Sequence, residues 1–120
     1  MRYGYSKYGN VKVNTPDGTF DSKLEYNRFC QLKWLEKAGL IKDLKTQVKF
    51  VLIDKSVHGR EISYIADFTY KKGDKLIVED TKSNATKTRL YTLKKRLMAE
   101  RYGIIITELT KENLIWKEIR

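Results

Sequence analysis

The chain has 120 residues and a formal net charge of +10, from 25 Lys and Arg against 15 Asp and Glu. That length allows one domain with a real core and excludes two. The basic excess points to a polyanionic partner, nucleic acid first, with a ribosomal or membrane surface as the other candidates. The one cysteine excludes an internal disulfide and any cysteine-rich zinc site.

The chain carries no signal peptide and no long apolar run, so a soluble intracellular protein with no membrane partner is expected. A single proline and no low-complexity tract argue against disorder. Met1 to Asn10 mixes Tyr3, Tyr5 and Tyr8 with Arg2 and Lys7. It reads as a basic-aromatic arm suited to backbone contact and base stacking, or as a frayed terminus. Val11 to Phe20 reads as a small hairpin around Thr15-Pro16-Asp17-Gly18, where proline presets φ and glycine closes the turn.

Ser22-Lys23-Leu24-Glu25 has capping-box spacing, which predicts a helix to about Ala38 that stops at Gly39. At 100° per residue Leu24, Arg28, Phe29, Leu32 and Leu35 share a broad face, with Lys33 and Lys37 opposite. Cys30 on this helix reads as a packed small residue. Glu25 falls on the side of Leu32 and Phe29. Two readings stand for it: completing the cap, or pointing toward the sheet as part of a site.

Leu44 to Ile53 alternates and predicts a strand, with Val48, Phe50 and Leu52 on one face. Asp54 to Arg60 is a polar connection holding His58, the only histidine, which cannot build a zinc site alone. Glu61 to Tyr70 and Leu76 to Thr81 read as two strands around a Lys71-Lys72-Gly73-Asp74 turn. The three strands together predict an antiparallel meander. After Ser83 to Thr86 a helix follows to about Tyr102, with Leu90, Leu93 and Leu97 as its buried stripe beside Tyr91 and Met98. Lys87, Arg89, Lys94, Lys95, Arg96 and Arg101 crowd it against the single acid Glu100, which suits a phosphate-tracking surface. Ile104-Ile105-Ile106 predicts a strand buried on both faces with a parallel partner. Thr110 to Arg120 fits either a short helix or a last strand.

The 61–82 hairpin holds the chemistry. Asp80 and Lys82 are two apart on a strand and share a face, while Glu79 points to the other. With Asp67 on the neighbouring strand they form a compact site for a divalent metal and a water, the outline of phosphodiester cleavage. A plain ion pair of Asp67 with Lys82 is the structural alternative. Such pairs rarely add net stability, which favours the chemical reading.

The order helix, three strands, helix, strand, with Glu25, Asp67 and Asp80-Thr81-Lys82, resembles the PD-(D/E)XK nuclease superfamily. FDSKLE, YIADF and VEDTK look like a small phage-encoded branch of it, and the likeness spans nearly the whole chain. Ala66 precedes Asp67 where the family often has proline. The resemblance implies an α/β, restriction-endonuclease-like αβββαβ core, a mixed central sheet flanked by helices. It also implies a metal-dependent endodeoxyribonuclease in the host-cell cytoplasm, acting on DNA, branched DNA such as Holliday junctions above all, and paired cutting would need a homodimer. Asp67, Asp80 and the Thr81 backbone carbonyl would hold Mg²⁺, with Mn²⁺ as a substitute, and Glu25 would take a second metal or a bound water. Lys82 would be catalytic, and Thr86, Lys87, Arg89, Lys94 and Lys95 would bind DNA. Trp34 and Leu114 to Trp116 are the exposed candidates for the dimer surface. The rival readings are a noncatalytic nucleic-acid-binding module and a nuclease subunit that works only within a larger phage or transposition complex.

Overall fold

The structure, a computed structural model, describes residues 12–81 and 88–110. Strands β1 (Val13–Thr15) and β2 (Gly18–Phe20) form the expected small hairpin. The Thr15 hydroxyl fixes the turn, donating to the Gly18 carbonyl at 2.8 Å and accepting from the Asp17 amide at 3.1 Å.

Helix α1 (Lys23–Lys37) starts where its sequence predicts. Ser22 Oγ accepts from the Glu25 amide at 3.1 Å, satisfying one of the free N–H groups of the first turn. Gly39 follows the helix at φ +80°, a left-handed conformation that glycine adopts without a Cβ penalty. Cys30 departs from expectation. It is exposed on α1 rather than packed, because the helix buries Glu25, Arg28 and Leu32.

Four strands make the main sheet: β3 (Lys42–Ile53), β4 (Ile62–Lys72), β5 (Lys75–Thr81) and β6 (Thr107–Leu109), side by side in that order. β3, β4 and β5 form the predicted antiparallel meander. Gly73 turns the β4–β5 hairpin at φ +64°. Helix α2 (Arg89–Tyr102) then crosses to β6, which pairs parallel to β5. Among the described residues the result is a mixed four-stranded sheet with two helices.

Two expectations fail toward the end of the chain. Leu90 and Leu93 are 57% and 46% exposed, and the buried residues of α2 are Tyr91 and Met98. Tyr91 and Met98 lie two turns apart, so the buried face centres on them, and only Leu97 of the leucine stripe packs nearby. The isoleucine run is not a strand buried on both faces. β6 begins at Thr107, Ile106 is buried, and Ile105 between the two packed isoleucines is 84% exposed. The segment is a connection leaving the left-handed Gly103 cap of α2, and alternate residues of it reach the core. The expected arm over residues 1–10 and the final segment 111–120 lie outside the described residues.

The core comes in two clusters. One joins Leu52, Tyr64, Ala66 and Val78 to Tyr91 and Met98 of α2. The other joins Phe68, Tyr70 and Ile77 to Leu32 and Leu35 of α1. Ile77 and Val78 are adjacent on β5 and point to opposite faces, so α1 and α2 back opposite sides of the sheet. In β4 the even residues Tyr64 and Ala66 belong to the α2 cluster, yet Phe68 and Tyr70 belong to the α1 cluster. In β3 Leu44 packs with the α1 cluster and Phe50 and Leu52 with the α2 cluster. Both strands therefore exchange faces at one place. That place is marked by Gln47, at φ +53° between the pairs Thr46↔Phe68 and Val48↔Ala66, opposite Asp67. A left-handed residue inside a strand breaks the period-two alternation that keeps side chains on one face.

Candidate active site

The face exchange puts Asp67 where the two halves of the sheet meet. One of its carboxylate oxygens accepts from both the amide and the hydroxyl of Thr81, each at 2.9 Å. Thr81 thus ties the end of β5 to β4 and orients Asp67. Asp80, 4% exposed, shares the cleft with Asp67. The cleft holds about 500 Å³ and is lined also by Gln47, Tyr64, Thr88 and Lys94. Thr88 is the N-cap of α2, its hydroxyl accepting from the Tyr91 amide.

Glu25 reaches this region from α1. Its carboxylate accepts from Gln47 Nε2 at 3.2 Å and is 4% exposed. Burial raises its pKa from the ordinary 4.5 to about 7, with the charges of Asp67, Asp21 and Asp80 adding to the rise and the Gln47 hydrogen bond opposing it. Of the two readings of Glu25, the side chain follows the second: its backbone amide bonds Ser22 Oγ, but its carboxylate turns to Gln47 on the sheet instead of reaching back to the cap. Burial, then the charge of Asp80, pushes up the Tyr64 hydroxyl. Burial, then a hydrogen bond with Glu108, does the same for Tyr91, with Asp80 contributing. Both phenols stay protonated at neutral pH and lie near enough to Asp80 to feel its charge.

Glu79 occupies the opposite face. Arg28 grips it with two hydrogen bonds, Nε at 2.8 Å and Nη2 at 2.6 Å, and the Tyr70 hydroxyl donates to the same carboxylate. Arg28, Glu79 and Tyr70 are all buried. Burial disfavours the Arg28 charge, but Glu79 more than compensates and holds its pKa above the usual value. Glu79 is therefore a satisfied core group, and Asp80 is the acid that faces the cleft.

The predicted site residues are brought together unevenly. Asp67 of β4 and Asp80 of β5 line one cleft, Thr81 bonds Asp67, and Glu25 of α1 lies near enough to feel both acids. Lys94 lines the cleft. Lys95 is half-buried, paired with Glu108 at 3.3 Å and lying over the Tyr91 ring. Arg89 is exposed in the first turn of α2. Arg101 is held against β3, donating to the Leu52 carbonyl at 3.1 Å. Lys82, Thr86 and Lys87 lie outside the described residues. Gln47 escaped prediction. It lines the cleft, touches Glu25 and has a positive φ, but glutamine is no turn residue and nothing in its local sequence marks a break.

The donors fit a hard divalent cation in kind, being carboxylates and a backbone carbonyl. They also fit in charge. Burial first, and then the charges of Asp67, Asp21 and Asp80, raise Glu25, and a bound cation would offset the repulsive part. Among the described residues, though, no three His, Cys, Asp or Glu side chains are gathered closely enough to form a metal centre. Any ion would rest on Asp67 and Asp80 first.

Fold and cleft define the class: a small mixed α/β protein, strongly basic overall, with acids converging on a cleft at the sheet's face exchange. The chain belongs to the family described as protein of unknown function (DUF1064), whose model matches residues 5–117. No curated protein and no solved structure matches the chain.

Proposed function

We propose that the protein is a metal-dependent endodeoxyribonuclease that hydrolyses phosphodiester bonds, with branched DNA such as a four-way junction as its substrate. The observation that carries this reading is that Asp67 and Asp80, distant in sequence, line one cleft of a chain whose net charge is +10, with buried Glu25 near enough for both charges to raise its pKa. Acids crowded together in a cleft repel one another and are costly to bury, so their retention calls for a use.

Asp67, Asp80 and the Thr81 carbonyl would hold Mg²⁺ or Mn²⁺, with Glu25 serving a second ion or a bound water. When bound, the ion supplies polarisation of the phosphate and a more acidic water. Asp67 is held for this by Thr81, and Glu25 by Gln47. Lys82 orients the attacking water and offsets charge as it develops on the phosphorus oxygens. Lys94 and Arg89 engage the DNA backbone beside the cleft. One such site cuts one strand, so symmetric resolution of a junction requires two copies of the chain.

The test is cleavage of a labelled four-way junction and of matched linear duplex in Mg²⁺, Mn²⁺ or EDTA, by wild type and Lys82→Ala. Metal-dependent symmetric nicking of the junction that vanishes in the variant is the expected result. Equal cutting of both substrates would leave a general nuclease. Tight binding with no cutting in any metal would overturn the reading.

A further inference from the structure

We propose that Lys42, Lys45 and Lys71 form a phosphate track on the sheet, leading away from the acidic cleft along the face that bears Asp80, and that duplex DNA is its occupant. This rests on the nuclease reading and deepens it by saying where the flanking DNA lies.

Cross-strand partners share a face. Lys45 pairs with Thr69, which pairs with Val78; Lys42 pairs with Lys71, which pairs with Leu76. Leu76, Val78 and Asp80 alternate on β5 and so point the same way. The three lysines therefore lie on the Asp80 face. At about 3.4 Å per strand residue, the Lys45 row is roughly 7 Å from the Asp80 row and the Lys42–Lys71 row about 7 Å further. One DNA strand carries a charge about every 3.4 Å along its axis, so each row is about two phosphates from the next.

All three lysines are exposed and α1 backs the other face at this end of the sheet; on their own face Thr69 and Val78 are buried, so the track follows the outer strand β3 and the hairpin end rather than the middle of the sheet. Lys42 and Lys71 sit directly opposite each other, which sets two cations side by side in one row. Asp43 approaches Lys71 at 3.8 Å, with both side chains more than half exposed, which offsets little of their charge. Lys42 and Lys45 are three apart on β3 and share this face because the register shifts between them, where Asp43 has φ +58°. Lys94 stands on the cleft side of the track, so a backbone laid across the acids would meet cations in both directions.

The same sheet end provides its own control. Lys72 and Lys75 face each other on the opposite side, toward α1. The experiment compares Lys42→Ala/Lys45→Ala with Lys72→Ala/Lys75→Ala, each losing two charges. Binding of a labelled junction and a linear DNA duplex is titrated across salt concentrations in EDTA, where no cleavage intervenes. The Lys42/Lys45 double should bind several-fold more weakly at moderate salt. The slope of log K against log salt should fall by about 1–2, near 0.9 for each phosphate no longer neutralised. The Lys72/Lys75 double should keep nearly the wild-type slope. Equal losses in both doubles, or no loss in the first, would overturn the track. The same asymmetry on duplex RNA, with tighter binding than to DNA, would overturn DNA as its occupant. A wild type that shows the asymmetry on DNA yet never cleaves would support the track and remove the nuclease reading.

Discussion

Glu79 and Asp80 are neighbours, 1% and 4% exposed, on the same strand. Glu79 faces α1, where Arg28 binds it bidentately and Tyr70 completes the set. Asp80 faces the cleft, where its charged company includes Glu25 and Asp67, both acids. One acid is held by a buried guanidinium, and the other adds its charge to a cluster of its own kind. The difference teaches that burial alone does not set an acid's role in a core: its partners do. Glu79 acts on a cation and a phenol that both bond to it, Arg28 and Tyr70. Asp80 adds its charge to burial in raising another acid, Glu25, and the phenols of Tyr64 and Tyr91.

The comparison can be broken most forcefully on the closed side. Arg28→Ala leaves Glu79 buried without its guanidinium and should cost about 3–5 kcal/mol in urea unfolding, while Arg28→Met with Glu79→Leu should recover most of that. On the open side Asp80→Asn should leave stability near wild type and reduce metal-dependent cleavage by about 10²–10³-fold in single-turnover assays. Similar losses of stability in the two variants would erase the contrast.

A third variant sharpens it through pH. Folded Glu25 keeps its proton up to about pH 7, whereas the ordinary value is 4.5. Between these values the folded chain holds a proton that the unfolded chain releases. The associated stability is complete below pH 4.5 and is lost as pH rises through 7. Glu25→Gln should therefore match wild type at about pH 4 and exceed it by about 2–3 kcal/mol at about pH 8. Chemical denaturation at the two pH values measures this, and added Mg²⁺ should narrow the gap at the higher pH if the acids hold it. The smallest effect concerns backbone. Gln47→Gly removes the cost of a left-handed side-chain-bearing residue and should stabilise the fold by about 1 kcal/mol, while freeing Glu25 from its amide donor.

Much of this arrangement was legible in the chain. The Ser22 cap, the Gly39 stop, the Gly73 turn and the meander follow from local chemistry that tertiary contacts leave alone. The two sides of β5 were readable from alternation, so Glu79 and Asp80 separated correctly. Arg28 on the apolar face of α1 and Glu79 on the face turned from the cleft were two halves of one signal, which only the packing of helix on sheet joins. What alternation could not give is the exchange of faces in β3 and β4, since a positive φ at glutamine leaves no mark in sequence. The leucines of α2 misled because Tyr91 and Met98 define a competing stripe one residue over, and an exposed leucine carries no penalty large enough to prevent it. Arg89, Lys94 and Lys95 looked alike in composition, yet pairing with Glu108 sets Lys95 apart.

The division of the core has a consequence for how the molecule comes apart. α1 belongs to one cluster and α2 to the other, and in each case the helix meets its cluster from one side only. What joins the clusters is strand backbone: β3, β4 and β5 each contribute side chains to both. Cooperativity between the halves must therefore pass along the strands, through the row where Gln47 faces Asp67, and that row lines the cleft. Whatever settles into the cleft acts on the seam that makes the two halves unfold as one.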